Sequence, residues 1–148
     1  MTRRVDTPLS VVLIEDDPGH ASLIRRNLHR AGATYEIVHL QTGTDAIDHF
    51  FAKTDSAGST DFTVVVLDLN LPDIDGFEIL RRLKEDPITR KIPVIVLTTT
   101  DNPSDVDRCY ALGCNVFMTK PVGYEDFSEA IRKLGIWLSD VRTPHDHD

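Results

Sequence analysis

A single aspartate closes the most apolar run of the chain. Val64, Val65, Val66 and Leu67 lead directly into Asp68, and the polar, turn-rich segment Leu69-Asn70-Leu71-Pro72-Asp73-Ile74-Asp75-Gly76 follows. A β-branched run of this kind predicts a strand buried on both faces. A carboxylate at its carboxyl end stands where open α/β sheets place their ligands. Four more residues share the pattern: Glu15 and Asp16 close an apolar run over 9–14, Thr98 follows another over 93–97, and Lys120 follows a short one over 116–118. Three carboxylates within a few ångströms would force one to keep its proton. A hard divalent cation removes that conflict. Mg²⁺ takes oxygen ligands and retains several waters, so Glu15, Asp16, Asp68 and the backbone carbonyl of Asn70 form a candidate set. An ammonium from Lys120 and a hydroxyl from Thr98 are what a phosphoryl group needs, charge neutralisation and a hydrogen-bond donor. Asp68 is then the candidate nucleophile and an aspartyl phosphate the product.

Each of these residues alone also fits a plainer role: a turn aspartate, an acidic helix cap, a solvated loop lysine, a strand-end threonine. What separates them from those roles is that they close four different predicted strands. Strands are expected over 9–14, 35–40, 63–67, 93–97 and 116–118, and helices over 20–31, 44–53, 77–85, 103–112 and 124–138. Asp17 is read as the cap of the first helix. Asn102-Pro103-Ser104-Asp105 is a helix start, with a capping side chain, proline at the first position and an acid near the positive dipole end. Gly32 and Gly113 are expected helix stops. In the last helix Tyr124, Phe127, Ile131, Leu134 and Leu138 form a stripe predicted to face the core. Five alternations of strand and helix imply parallel strands joined by right-handed crossovers, hence a doubly wound five-stranded sheet in a three-layer α/β/α sandwich. All strand carboxyl ends then meet at one edge, and the five candidate residues with them.

The 148 residues are expected to form one domain, with its core over about 9–138 and an extension over 139–148. The balance of 16 Lys and Arg against 24 Asp and Glu gives a formal charge of −8, which argues against nonspecific nucleic-acid binding. No apolar stretch approaches the ~20 residues of a membrane span, and Arg3 and Arg4 precede no signal-like core. Cys109 and Cys114 have no zinc-site spacing to any partner and are read as reduced thiols. A cytoplasmic location is expected. The segment 54–61 is read as an exposed loop, and the tail His145-Asp146-His147-Asp148 as a solvated terminus.

Glu15-Asp16, Leu67-Asp68 with Pro72 and Gly76, Thr98, and Lys120-Pro121 together resemble the signature of receiver domains of two-component response regulators, over about residues 10–138. The resemblance implies the flavodoxin-like receiver fold. It implies that Asp68 accepts phosphate from a phosphohistidine of a sensor histidine kinase, with Mg²⁺ held by Glu15, Asp16, Asp68 and the Asn70 carbonyl. Thr98 and Lys120 would bind the phosphoryl oxygens, and the chain would catalyse only its own phosphorylation and dephosphorylation. It further implies a cis Lys120-Pro121 bond and a switch through Thr98 and an aromatic residue on the fifth strand. Phe117 stands at that place without a hydroxyl, so such a switch would work through packing.

Leu97-Thr98-Thr99-Thr100, Asn102-Pro103-Ser104-Asp105-Val106, Tyr110-Ala111-Leu112 and Trp137-Leu138 are similar to the stand-alone regulators that partner bacterial phytochrome kinases, a group that tends to form homodimers. On a helical wheel Ile136 lies opposite the core stripe, Trp137 at its flank and Val141 one turn beyond, a candidate dimer interface. With no helix-turn-helix after residue 138, output is expected through protein contacts or onward transfer to a downstream phosphotransfer protein. The competing function is a Mg²⁺-dependent phosphohydrolase with Asp68 as nucleophile. Asn70 stands where dehalogenase-like phosphatases carry their second acid and cannot do that proton transfer.

Overall fold

The structure, a computed structural model, describes residues 9–31, 35–52 and 63–140. Five strands, β1 (Leu9–Ile14), β2 (Tyr35–Leu40), β3 (Thr63–Leu67), β4 (Val94–Thr98) and β5 (Val116–Thr119), alternate with five helices. The helices are α1 (Pro18–Arg30), α2 (Gly43–Phe51), α3 (Gly76–Glu85), α4 (Pro103–Leu112) and α5 (Tyr124–Asp140). All strand pairs are parallel, in the order β2-β1-β3-β4-β5. This is the doubly wound, flavodoxin-like arrangement expected from the alternation.

The sheet separates two apolar layers. On one face Val11, Leu13, Val64, Val66, Ile95 and Leu97 pack against Ile24 and Leu28 of α1 and Phe127, Ile131, Leu134 and Leu138 of α5. On the other, Val12, Ile14, Val65, Leu67, Val94 and Val96 meet Ala46 of α2, Ile79, Leu80 and Leu83 of α3, and Cys109 of α4. β3 and β4 are buried at every position, because helices cover both of their faces. That explains their unbroken apolar sequence. β5, at the sheet edge, is only half-buried.

The predicted caps form. The Asp17 carboxylate accepts from the N–H of Gly19 and His20 at the start of α1, and Asn102 from that of Ser104 at the start of α4. Gly113 ends α4 at φ 106°, a left-handed conformation that favours glycine. The expected stop at Gly32 and the loop over 54–61 fall outside the described residues, as do Val141 and the His145–Asp148 tail.

Two expectations need correction, and one element goes beyond them. Among the described residues no peptide bond is cis, so Lys120-Pro121 is trans. The two isomers of an X-Pro bond differ by only about 0.5–1 kcal/mol, so local sequence decides between them poorly. Tyr124 does not join the core stripe: as the first residue of α5 it stands beyond the reach of the sheet and is exposed. A one-turn 3-10 helix, Thr89–Lys91, was not anticipated. It forms because the Asp86 carboxylate accepts from the N–H of Ile88 and Thr89.

Candidate functional site

Each strand delivers its terminal residue to one edge of the sheet. The registers Ile14↔Leu67, Leu67↔Val96 and Thr98↔Thr119 bring the ends of β1, β3, β4 and β5 level. Glu15, Asp68, Thr98 and Lys120 are all buried there, while Asp16 faces solvent. The β3–α3 loop is compressed against this edge. A side-chain carbon added at Gly76 would lie 2.5 Å from the Leu69 Cα and 3.0 Å from the Asp68 carbonyl oxygen. Only glycine permits α3 to start so close behind Asp68.

Lys120 is the hub. Its Nζ lies 2.9 Å from Asp68 Oδ2, 2.5 Å from Glu15 Oε1 and 3.0 Å from His20 Nδ1. The other Asp68 oxygen, Oδ1, accepts from the Thr98 hydroxyl at 2.9 Å and from the Asn70 N–H at 3.0 Å. The Asn70 side-chain amide crosses the mouth to the hydroxyls of Thr98 and Thr99, 3.4 Å from each. The Glu15 loop is pinned at two points: the Asp17 N–H donates to Glu15 Oε2 at 3.2 Å, and His39 on β2 donates from Nε2 to the Glu15 carbonyl at 2.7 Å.

Glu15, Asp16 and Asp68 each offer a carboxylate oxygen within 4.8 Å of the others'. Burial pushes the Glu15 carboxyl up to about 7. The Lys120 hydrogen bond pulls the other way, and the Asp68 charge adds to the rise. With Glu15 and Asp68 both buried beside a single ammonium, the upward direction holds. An all-oxygen donor set with surplus negative charge fits a hard divalent cation such as Mg²⁺.

Of the sequence-predicted chemical cluster, Glu15, Asp16, Asp68, Thr98 and Lys120 converge, and Asn70 joins them through its N–H and side-chain amide. Phe117 lies apart, half-buried on the α4 side of the sheet. Ile136 and Trp137 lie on the outer side of α5, 58% and 46% exposed. Three contributors were missed. His20 and His39 contact the cluster from α1 and β2, and no spacing rule links a lone histidine to a lysine a hundred residues away. The third is Asp73. Its Oδ1 accepts from the N–H of Gly43 (2.7 Å) and of Ile74 (2.9 Å), and its Oδ2 from the N–H (2.9 Å) and hydroxyl (2.5 Å) of Thr44. The loop that carries Asp68 is thereby tied to the amino end of α2.

The response regulator receiver domain model matches residues 11–132. The chain belongs to the response regulator receiver domain family. Receiver membership makes it a two-component signalling protein with an acidic pocket rather than a classical enzyme. Among receivers it is similar to response regulator Rcp1 of Synechocystis, at 30% identity over 97% of this chain and 99% of that protein. The manganese-bound structure of Rcp1 superposes at a TM-score of 0.84 over 93% of this chain and 99% of that one. A receiver domain from Rhodospirillum rubrum is 47% identical, with a TM-score of 0.86 over 91% and 96% of the two chains. The phosphorylated cyanobacterial phytochrome response regulator RcpA is 29% identical, at 0.84 over 93% and 99%. The receiver's similar structures thus include phytochrome response regulators.

Proposed function

We propose that this receiver accepts a phosphoryl group on Asp68 from a phosphohistidine of a sensor histidine kinase, in a Mg²⁺-dependent reaction, and signals through protein contacts. One observation carries the reading: both oxygens of Asp68 are already held by donors suited to a phosphoryl group, Lys120 at one and Thr98 at the other. In the transfer an Asp68 carboxylate oxygen attacks phosphorus, and the phosphorus–nitrogen bond breaks with its electron pair leaving on the imidazole. Glu15, Asp16, Asp68 and the Asn70 carbonyl are the residues that would hold Mg²⁺, whose charge offsets the approach of an anionic donor to a carboxylate. Lys120 and Thr98 turn from Asp68 to the new phosphoryl oxygens. They supply positioning and electrostatics, which dominate phosphoryl transfer.

Thr98 then withdraws from its bond to Asp68, and Phe117 is the packing element that answers on β5. The exposed pair Ile136 and Trp137, together with Val141, is assigned to a homodimer contact. A groove of about 620 Å³ between β5 and α5, lined by Val116, Met118, Leu134 and Trp137, supports that assignment. Likeness to RcpA supports a bacteriophytochrome-type kinase as the phosphodonor. We place the protein in the cytoplasm, as one domain whose phosphate can pass to a downstream phosphotransfer protein. Among the described residues no helix is long and apolar enough to cross a membrane.

The test is incubation with Mg²⁺ and acetyl phosphate. A single phosphoryl group, acid-stable and base-labile, is expected on Asp68 and absent in Asp68→Asn. Turnover of many equivalents per protein would instead favour the phosphohydrolase reading, and labelling that survives in Asp68→Asn would refute the assignment.

A further inference from the structure

Lys120 has three N–H donors and no acceptor, and the structure fills all three: Asp68, Glu15 and His20. The two carboxylates belong to the acidic cluster. They are the partners that a divalent cation and an incoming phosphoryl group compete for. His20 is the one member of the trio that is not a carboxylate, so neither the cation nor the phosphoryl group competes for it. We propose that His20 is a positioning residue for Lys120, its Nδ1 lone pair holding the ammonium in place while Glu15 and Asp68 are taken up by the reaction. This rests on the phosphoacceptor reading above.

The imidazole is built into position. Its backbone N–H is fixed by the Asp17 cap at 3.1 Å. Its ring meets Phe127 of α5 edge-on, with centroids 5.4 Å apart and planes at 71°. The Asp17 carboxylate lies 3.8 Å from Nδ1, beyond hydrogen-bond distance, whereas Lys120 is at 3.0 Å. Because an ammonium only donates, Nδ1 must accept, which places the ring proton on Nε2. The same geometry links the phosphoryl-binding lysine through one ring to the α1–α5 face.

The experiment compares wild type with His20→Ala, His20→Asn and His20→Gln. The readout is the rate of Asp68 labelling by acetyl phosphate at saturating Mg²⁺. Asparagine can place an oxygen where Nδ1 was, and glutamine places one where Nε2 was. Alanine is expected to slow labelling by about tenfold, the scale of one hydrogen bond to a charged group. Asparagine should restore it to within about threefold, and glutamine should not. Alanine at the wild-type rate, or glutamine restoring as well as asparagine, would overturn the proposal. Nitrogen NMR of the wild-type imidazole tests it without any variant: the Nε2–H tautomer is expected, and a proton on Nδ1 would overturn it. If wild type is itself not labelled at Asp68, the underlying reading fails instead.

Discussion

Asp16 differs from its two neighbours in the acidic cluster, being exposed while Glu15 and Asp68 are buried. It can therefore be changed at little folding cost, which makes it the cleanest probe of the cation. Ligands that bind only the folded state stabilise it by mass action, about 2.7 kcal/mol at a hundredfold excess over Kd. Mg²⁺ is expected to raise the wild-type melting temperature, and Asp16→Asn should remove most of that rise while leaving the metal-free protein folded. A variant that responds to Mg²⁺ as wild type does would remove Asp16 from the ligand set. At this scale the sequence was informative where chemistry dictates residue type: the acids, the hydroxyl and the ammonium close four of the five strands. It was silent on His20 and His39, whose roles arise from the distance between α1, β2 and β5, which only the packed sheet defines.

The elements owe their positions to contacts of the kind Asp73 makes. The N–H groups at a helix amino end lack intrahelical partners, and Asp73 satisfies those of Gly43 and Thr44 from a different loop. Chiefly through the Thr44 hydroxyl, these bonds lower the Asp73 carboxyl from 3.8 to about 2. A carboxyl depressed in the folded state stabilises the protein fully above its unfolded value and loses that effect as pH falls through the folded one. The stability gap between wild type and Asp73→Ala, measured by urea unfolding, should therefore stay level above about pH 4 and narrow toward pH 2. A gap that remains constant down to pH 2 would show the clamp to be neutral in character. Sequence periodicity found every strand and all five helices, since those signals are local. It did not find this clamp, because Asp73 and Thr44 are separated by strand β3 and come together only through the crossover. The trans Lys120-Pro121 bond and the exposed Tyr124 were misread for a related reason: each is decided by what lies opposite in space.

For the whole molecule the question is which surface carries output. With 24 acidic against 16 basic side chains, the protein repels copies of itself at long range, so self-association has to come from apolar contact. Ile136 and Trp137 offer that contact on the outer side of α5. Sedimentation at micromolar concentration is expected to show a dimer that Ile136→Glu converts to monomer, since an unpaired charge in such an interface costs several kcal/mol. A monomer in both phosphorylated and free wild type would sink the assignment.

β5 also borders the sheet, and a bare border is adhesive. Its backbone N–H at Phe117 donates, at 3.1 Å, to the phenol oxygen of Tyr110 on the neighbouring helix. That hydroxyl plugs a donor which a foreign strand would otherwise use to extend the sheet. A crowded cell is full of extended segments, and at this border one donor is denied to them by an aromatic side chain reaching over from the neighbouring helix.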